Sequence, residues 1–210
     1  MRYYPICIDT LNKKILVVGG GNASYLKLKD LAKTDAHIDV VSEKFLKEVD
    51  ELNNINRNII LIRENIENFE ISDDYHMVFI CTDNHELNME ICKYFKDKKS
   101  LVMVADSREK SDFITSAILH KDNITVSVNT QGKSPTAAKL ILNETGKILN
   151  EEFTEKISLL CEIREQLKMK NNEGLNIGNI KSTMDSLICK NNSDLKIFLN
   201  DIEDSVRQEN

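Results

Sequence analysis

Ile15-Leu16-Val17-Val18 runs without a polar residue into Gly19-Gly20-Gly21, and then into Asn22-Ala23-Ser24 and a helical pattern. Apolar, β-branched residues in a row make a buried strand. Glycines placed directly after it let the backbone turn tightly and bring its amides close to a phosphate at the positive end of the following helix. Gly19 and Gly21 fill the first two places of the dinucleotide-binding fingerprint, and Ser24 stands at the third. The chemistry this pattern supports is capture of a dinucleotide pyrophosphate, with Gly19, Gly20, Gly21, Asn22 and Ala23 as the contacting residues. A plain strand-to-helix turn is the competing reading.

Further groups suited to chemistry follow other apolar runs. Ser42 and Glu43 come after the second run, where a dinucleotide-binding domain places the group that holds a ribose. No arginine follows there to meet a 2′-phosphate, so NAD is expected over NADP. Thr82 and Asp83 come after the fourth run, where the nicotinamide ribose would lie. Asp106 follows the fifth run directly and is the best placed acid/base group, since a carboxylate can accept a proton lost from a substrate. Asp106-Ser107-Arg108-Glu109 would also suit the start of a helix, with Asp106 as its cap. Lys133 and Ser134 precede Pro135 at a helix start, which either attracts carboxylates or is simply capped.

The elements that must position these groups are legible from periodicity. Apolar runs at Ile15 to Val18, Ile38 to Val41, Ile59 to Ile62, Met77 to Cys81 and Leu101 to Val104 alternate with helical patterns at Tyr25 to Lys33, Phe45 to Leu52 and Leu87 to Phe95. Continuous apolar strands alternating with helices predict a parallel sheet covered on both faces, with ligands beyond the carboxyl ends of its strands. Ile124 to Asn129 alternates as a half-buried strand, Thr130 to Lys133 reads as a turn, and Ser134-Pro135 opens a helix to about Leu149. Beyond Glu151 the pattern is helical only. Phe153, Ile157, Leu160 and Leu167 share one face, Ile180, Met184, Leu187 and Ile188 a second, and Leu195, Phe198, Leu199, Ile202 and Val206 a third. Asn171-Asn172-Glu173-Gly174 separates the first two of these helices. The fold class expected is α/β: a Rossmann-type parallel sheet over 1–111, a small dimerisation region over 112–149 and an all-helical C-terminal region over 150–210. Lacking a strand to cover, the terminal helices are expected to pack together or on a second subunit.

Composition narrows the function classes. The 210 residues carry a formal charge of −6, which argues against nucleic acid as the main partner because phosphate neutralisation needs clustered Lys and Arg. No apolar stretch approaches the roughly 20 residues that span a bilayer. The first residues lack the apolar run of a signal peptide, so a cytoplasmic location is expected. Cys7, Cys81, Cys92, Cys161 and Cys189 form no C-x-x-C pair and read as free thiols, mostly apolar fillers. His37, His76, His85 and His120 show no metal-type spacing; His85 and His120 flank segments near the expected cleft, and no residue is assigned as a metal ligand.

Taken together, Tyr4-Pro5-Ile6-Cys7-Ile8-Asp9 leading into Val17-Val18-Gly19-Gly20-Gly21, Thr82-Asp83 with Glu86-Leu87-Asn88, Val104-Ala105-Asp106, Asp112-Phe113 and Gly132-Lys133-Ser134-Pro135 resemble one family in order and spacing. It is the precorrin-2 dehydrogenase and sirohydrochlorin ferrochelatase family, also described as the N-terminal module of sirohaem synthase, and the resemblance covers about residues 3 to 145. It implies a homodimer that uses NAD to dehydrogenate precorrin-2, an anionic tetrapyrrole, to sirohydrochlorin on the way to sirohaem or a corrinoid. It also implies Asp106 in catalysis and Lys133 and Ser134 in substrate binding. Some members insert Fe²⁺ or Co²⁺ as a further reaction. This chain departs from the pattern with Leu26-Lys27 in place of Arg-Lys, Met103 for Asn, Ser116 for Pro, and Gln131 for the glycine before Gly132. About sixty residues beyond Leu149 leave no room for the methyltransferase module of fused sirohaem synthases, so the methylations are expected of another protein. The contrasting reading is an NAD-sensing regulatory Rossmann module without catalysis. Asp106 and Gly132-Lys133-Ser134-Pro135 speak for the enzyme, because a sensor needs neither.

Overall fold

A computed structural model describes residues 2–72, 74–172 and 179–207. Glu173 and Gly174 of the expected helix separator lie outside the described residues. The chain divides into two compact units, 1–115 and 116–210.

In the first unit, β1 (Lys14–Val18), β2 (His37–Val41), β3 (Ile59–Ile62), β4 (Met77–Ile80) and β5 (Leu101–Val104) form one sheet in the order β3-β2-β1-β4-β5. Every pairing is parallel. The continuous apolar runs are explained by burial on both faces. Successive side chains of β1 alternate: Leu16 and Val18 join Val78, Ile80, Phe95 and Val102 on one face, while Ile15 and Val17 join Leu28, Ile38, Val40 and Phe79 on the other. Each such fully buried side chain contributes about 1.5–3 kcal/mol. The first face is covered by α3 (His85–Asp97) and the second by α1 (Asn22–Leu31) and α2 (Lys47–Ile55). Between β3 and β4 the described residues form no helix, and Ile66, Phe69, Ile71 and Tyr75 cover the first face instead. The chain reverses direction across the sheet at β1, so a crevice opens between the carboxyl ends of β1 and its neighbours.

The second unit begins with a hairpin, β6 (Ala117–Lys121) paired antiparallel with β7 (Ile124–Val128), and then α4 (Pro135–Ile148). Asp122 turns the hairpin at φ 51. The remaining helices are α5 (Glu151–Asn172), α6 (Ile180–Leu187) and α7 (Asn192–Arg207). They enclose a core of their own: Leu159, Ile163, Leu167, Leu187, Leu195, Leu199 and Ile202 are all buried against one another. A second subunit is therefore not needed to cover them. The inward stripe of α5 is Leu159, Ile163 and Leu167, at i, i+4 and i+8, with Leu160 beside it; Phe153 is exposed, as is Ile188 at the end of α6. Among the described residues no helix is long and apolar enough to cross a membrane.

Candidate functional site

The turn after β1 is built by close contacts that only glycine permits at two of its three positions. Gly19 has φ +111, and a Cβ there would lie 2.7 Å from the Cys81 carbonyl oxygen. Gly20 is tighter still, since its Cβ would meet the Lys44 carbonyl at 2.1 Å, and its own carbonyl accepts from the Leu46 amide at 2.9 Å. The loops after β2 and β4 are thus drawn in on either side of the turn. Gly21 differs: a Cβ there would meet nothing within 4 Å. It is the N-cap of α1, gives that helix no side-chain cap, and no acidic residue sits in the first turn. The first amides of α1 therefore face open space with their partial positive charge uncompensated, an arrangement that takes a phosphate. Ser24, at the third fingerprint place, is wholly buried under the turn, where a small side chain lets helix and strand approach.

These residues open onto a cleft of about 770 Å³, a volume in the range of cofactor sites. Gly19, Gly20, Gly21, Asn22 and Ala23 line it, as do Ser42, Glu43, Thr82 and Asp83, so all nine expected cofactor contacts are brought together. The Ser42 hydroxyl donates to the Lys44 carbonyl at 2.9 Å and thereby shapes the loop. Glu43 is exposed on the cleft wall, free to meet a ribose hydroxyl. Lys44, Phe45, Glu64 and Asn65 also line the cleft. Their only sequence signal is position, since each follows β2 or β3 at the ligand-bearing edge. The Arg63 guanidinium lies 5.1 Å from the centre of the Phe45 ring but is held by Asp50 at 2.5 Å. Cys81 lines the same cleft; burial pushes its thiol up to about 11, in keeping with a filler rather than a nucleophile.

Asp106 sits in the turn after β5, and its carboxylate meets His85 Nδ1 at 2.8 Å. No helix follows it; residues 105–110 form turns, with a bridge between Val104 and Ser107. The helix-cap alternative is thereby removed. Its carboxyl is held below the usual carboxylate range, chiefly by the hydrogen bond from His85, with Asn88 adding to the effect and partial burial opposing it. Asn88 is fully buried, donates to the Thr82 carbonyl at 3.1 Å and accepts from the Thr82 hydroxyl. His85 is the first residue of α3, which Asn84 caps by accepting from the Leu87 amide. The pairing of β4 with β5 thus brings a histidine and an aspartate 21 residues apart into contact. Sequence reading noted His85 only as a flanking histidine, because nothing in the spacing shows which strand ends are neighbours.

In the second unit, Ser134 caps α4 by accepting from the Ala137 amide at 3.1 Å, and Thr130 bonds both the amide and the carbonyl of Ser134. Lys133 is exposed on this loop. Gln131 has a left-handed backbone with φ 55, and Gly132 follows at φ 70. His120 pairs across the hairpin with the Thr125 hydroxyl at 3.0 Å. Of the departures elsewhere, Leu26 is exposed on α1 beside Lys27, which reaches the Thr115 hydroxyl at 2.6 Å, Met103 is buried in the sheet core, and Ser116 meets Asn129 at 3.4 Å. Among the described residues no group of three His, Cys, Asp or Glu could hold a metal ion.

Residues 6–117 match the family described as "Putative NAD(P)-binding". The chain is 30% identical over 172 residues to the siroheme synthase of Ruthia magnifica and 29% identical over 170 residues to that of Vesicomyosocius okutanii. Each alignment covers 81% of this chain and 36% of the relative, so the chain spans about a third of the length of these curated relatives. Among solved structures, that of the precorrin-2 dehydrogenase SirC superposes with a TM-score of 0.75 at 20% identity, covering 96% of this chain and all of that one. The fold is shared with it.

Proposed function

Because this chain belongs to the NAD(P)-binding family, we propose that it works as an NAD-dependent precorrin-2 dehydrogenase, forming sirohydrochlorin in tetrapyrrole biosynthesis. The observation that carries the reading is an uncapped helix N-terminus behind Gly21 and, two strands away along the same carboxyl-end edge of the sheet, the carboxylate of Asp106. NAD supplies the hydride acceptor. The α1 amides hold its pyrophosphate, Glu43 a ribose hydroxyl, and Thr82 and Asp83 border the nicotinamide end. Glu43 and Glu64 in the cleft wall and the engagement of Arg63 by Asp50 disfavour a 2′-phosphate, which supports NAD over NADP. Holding both reactants in register supplies much of the rate. Asp106, kept ionised by His85, is ready to accept the proton that leaves the substrate. A regulatory module would have no use for that held carboxylate.

Lys133 and the helix start at Ser134 are proposed as contacts for the carboxylates of the substrate. Ile118 on β6 and Leu140, Ile141 and Ile148 on α4 are exposed large apolar side chains of the second unit. They supply the surface for a homodimer. The test of the function is anaerobic incubation of the chain with precorrin-2 and NAD, following NADH absorbance. NADH formed by the wild type, and lost with Asp106→Asn while NAD binding persists, supports the reading; no NADH from the wild type overturns it.

A further inference from the structure

The carboxylate proposed to accept the substrate proton has a partner that the reaction scheme above does not use. His85 Nδ1 lies 2.8 Å from Asp106 Oδ2, and the His85 side chain is 64% exposed against 37% for Asp106. The pair therefore runs outward, from a carboxylate fixed from behind by buried Asn88 to a ring with most of its surface in water. The ring's place is set by the fold, since His85 opens α3 directly after the Asn84 cap. Acidic Asp83, before the Asn84 cap, and Glu86 on α3 flank His85, and Arg108 and Glu109 follow Asp106 on its turn. Asp106 is the group within hydrogen-bond distance of the ring.

We infer that His85 is the outlet for the proton taken up by Asp106, a conclusion that rests on the dehydrogenase reading. The substrate gives a hydride to NAD and a proton to the Asp106 carboxylate. Once Asp106 is protonated, the ring exchanges its hydrogen through water from Nδ1 to Nε2; the carboxylic acid then passes its proton to Nδ1 as the Nε2 proton leaves to water, which restores the Nδ1–H that bonds the carboxylate and yields one NADH and one solvent proton per two-electron oxidation. A carboxyl held below its ordinary range surrenders a proton readily, and imidazole is the side chain that accepts and releases one near neutral pH. Without the ring, Asp106 must be reset by bulk water alone. His85 is thus a positioning and relay group that acts through Asp106.

The test is steady-state NADH production from precorrin-2 and NAD by the full chain. His85→Ala should lower kcat about tenfold or more with the KM for NAD unchanged, and added free imidazole should restore much of the loss. His85→Gln, which can still hydrogen-bond Asp106 but cannot exchange a proton through a ring, should stay as slow as His85→Ala. A His85→Gln variant at the wild-type rate, or His85→Ala indifferent to imidazole, would overturn the relay while leaving the dehydrogenase reading intact. A wild-type chain that makes no NADH overturns the dehydrogenase reading and the relay with it.

Discussion

Two turns in this chain each precede a helix, and they treat the helix start in opposite ways. Behind Gly19-Gly20-Gly21 the N-terminus of α1 receives no side-chain cap, and the third glycine faces open space. At Thr130 to Ser134 the loop closes on itself: Thr130 bonds both backbone groups of Ser134, Asn129 accepts from the Gln131 amide at 2.6 Å, and Ser134 caps α4. Helix donors that the chain leaves unmet are open to water or a ligand, whereas the Ala137 amide of α4 is already bonded by Ser134. The first turn thus leaves helix donors for water or a ligand to meet, whereas the second closes on its own backbone and presents Lys133 outward.

The largest effect that would break this contrast is expected at Gly20. Gly20→Ala puts a Cβ 2.1 Å from the Lys44 carbonyl, so the backbone must move, and a loss of about 3 kcal/mol or more in urea unfolding is expected. A variant of wild-type stability would show that the turn is looser than its contacts indicate. Gly21→Asp probes the same turn from the other side. Its side chain has room, so the unfolding midpoint should hardly shift, but a carboxylate where the pyrophosphate sits should weaken NAD binding by about 100-fold or more. Unchanged affinity in a calorimetric titration would remove the ligand role from this turn.

Effects in the second loop should be smaller. Ser134→Ala deletes the cap of α4 and should cost about 1 kcal/mol. A KM for precorrin-2 that rises with it supports the proposed substrate contact at this helix start; an unchanged KM leaves Ser134 a cap alone. Smallest, and of opposite sign, is Gln131→Gly. Relief of the left-handed backbone at φ 55 outweighs the added freedom of the unfolded chain, so a gain of about 0.5 kcal/mol is expected in thermal unfolding. A loss there would mean that side-chain contacts of Gln131 exceed its backbone strain.

How much of this was legible in the sequence depended on how strongly burial marked each element. The five parallel strands stood out because both their faces are buried, which turns each into an apolar run. β6 was missed because Ala117-Ile118-Leu119-His120-Lys121 does not alternate apolar with polar residues, although its burial alternates as that of β7 does. In β7, its partner, Ile124-Thr125-Val126-Ser127-Val128 alternates strictly in residue type and was read. Terminal helices were anticipated, but the inward stripe of α5 fell on Leu159, Ile163 and Leu167 because its other neighbours, α6 and α7, decide which side faces in. At the site, the glycine turn and Asp106 were visible as residues after strands. The contact of Asp106 with His85 depends on β4 lying beside β5, a tertiary fact that local spacing does not carry.

From Ile15 to Val18, β1 is paired with β2 on one side and β4 on the other, and the side chains there are essentially inaccessible. A strand held on both edges at the centre of a sheet opens to solvent only when the domain as a whole unfolds. Its amides should thus be among the last of the first unit to exchange for deuterium, on the timescale of global unfolding. The glycine turn hangs directly from that strand, and Gly19 continues the ladder by donating to the Val41 carbonyl at 2.8 Å. Local breathing elsewhere in the unit can come and go while the mouth of the cleft keeps its shape.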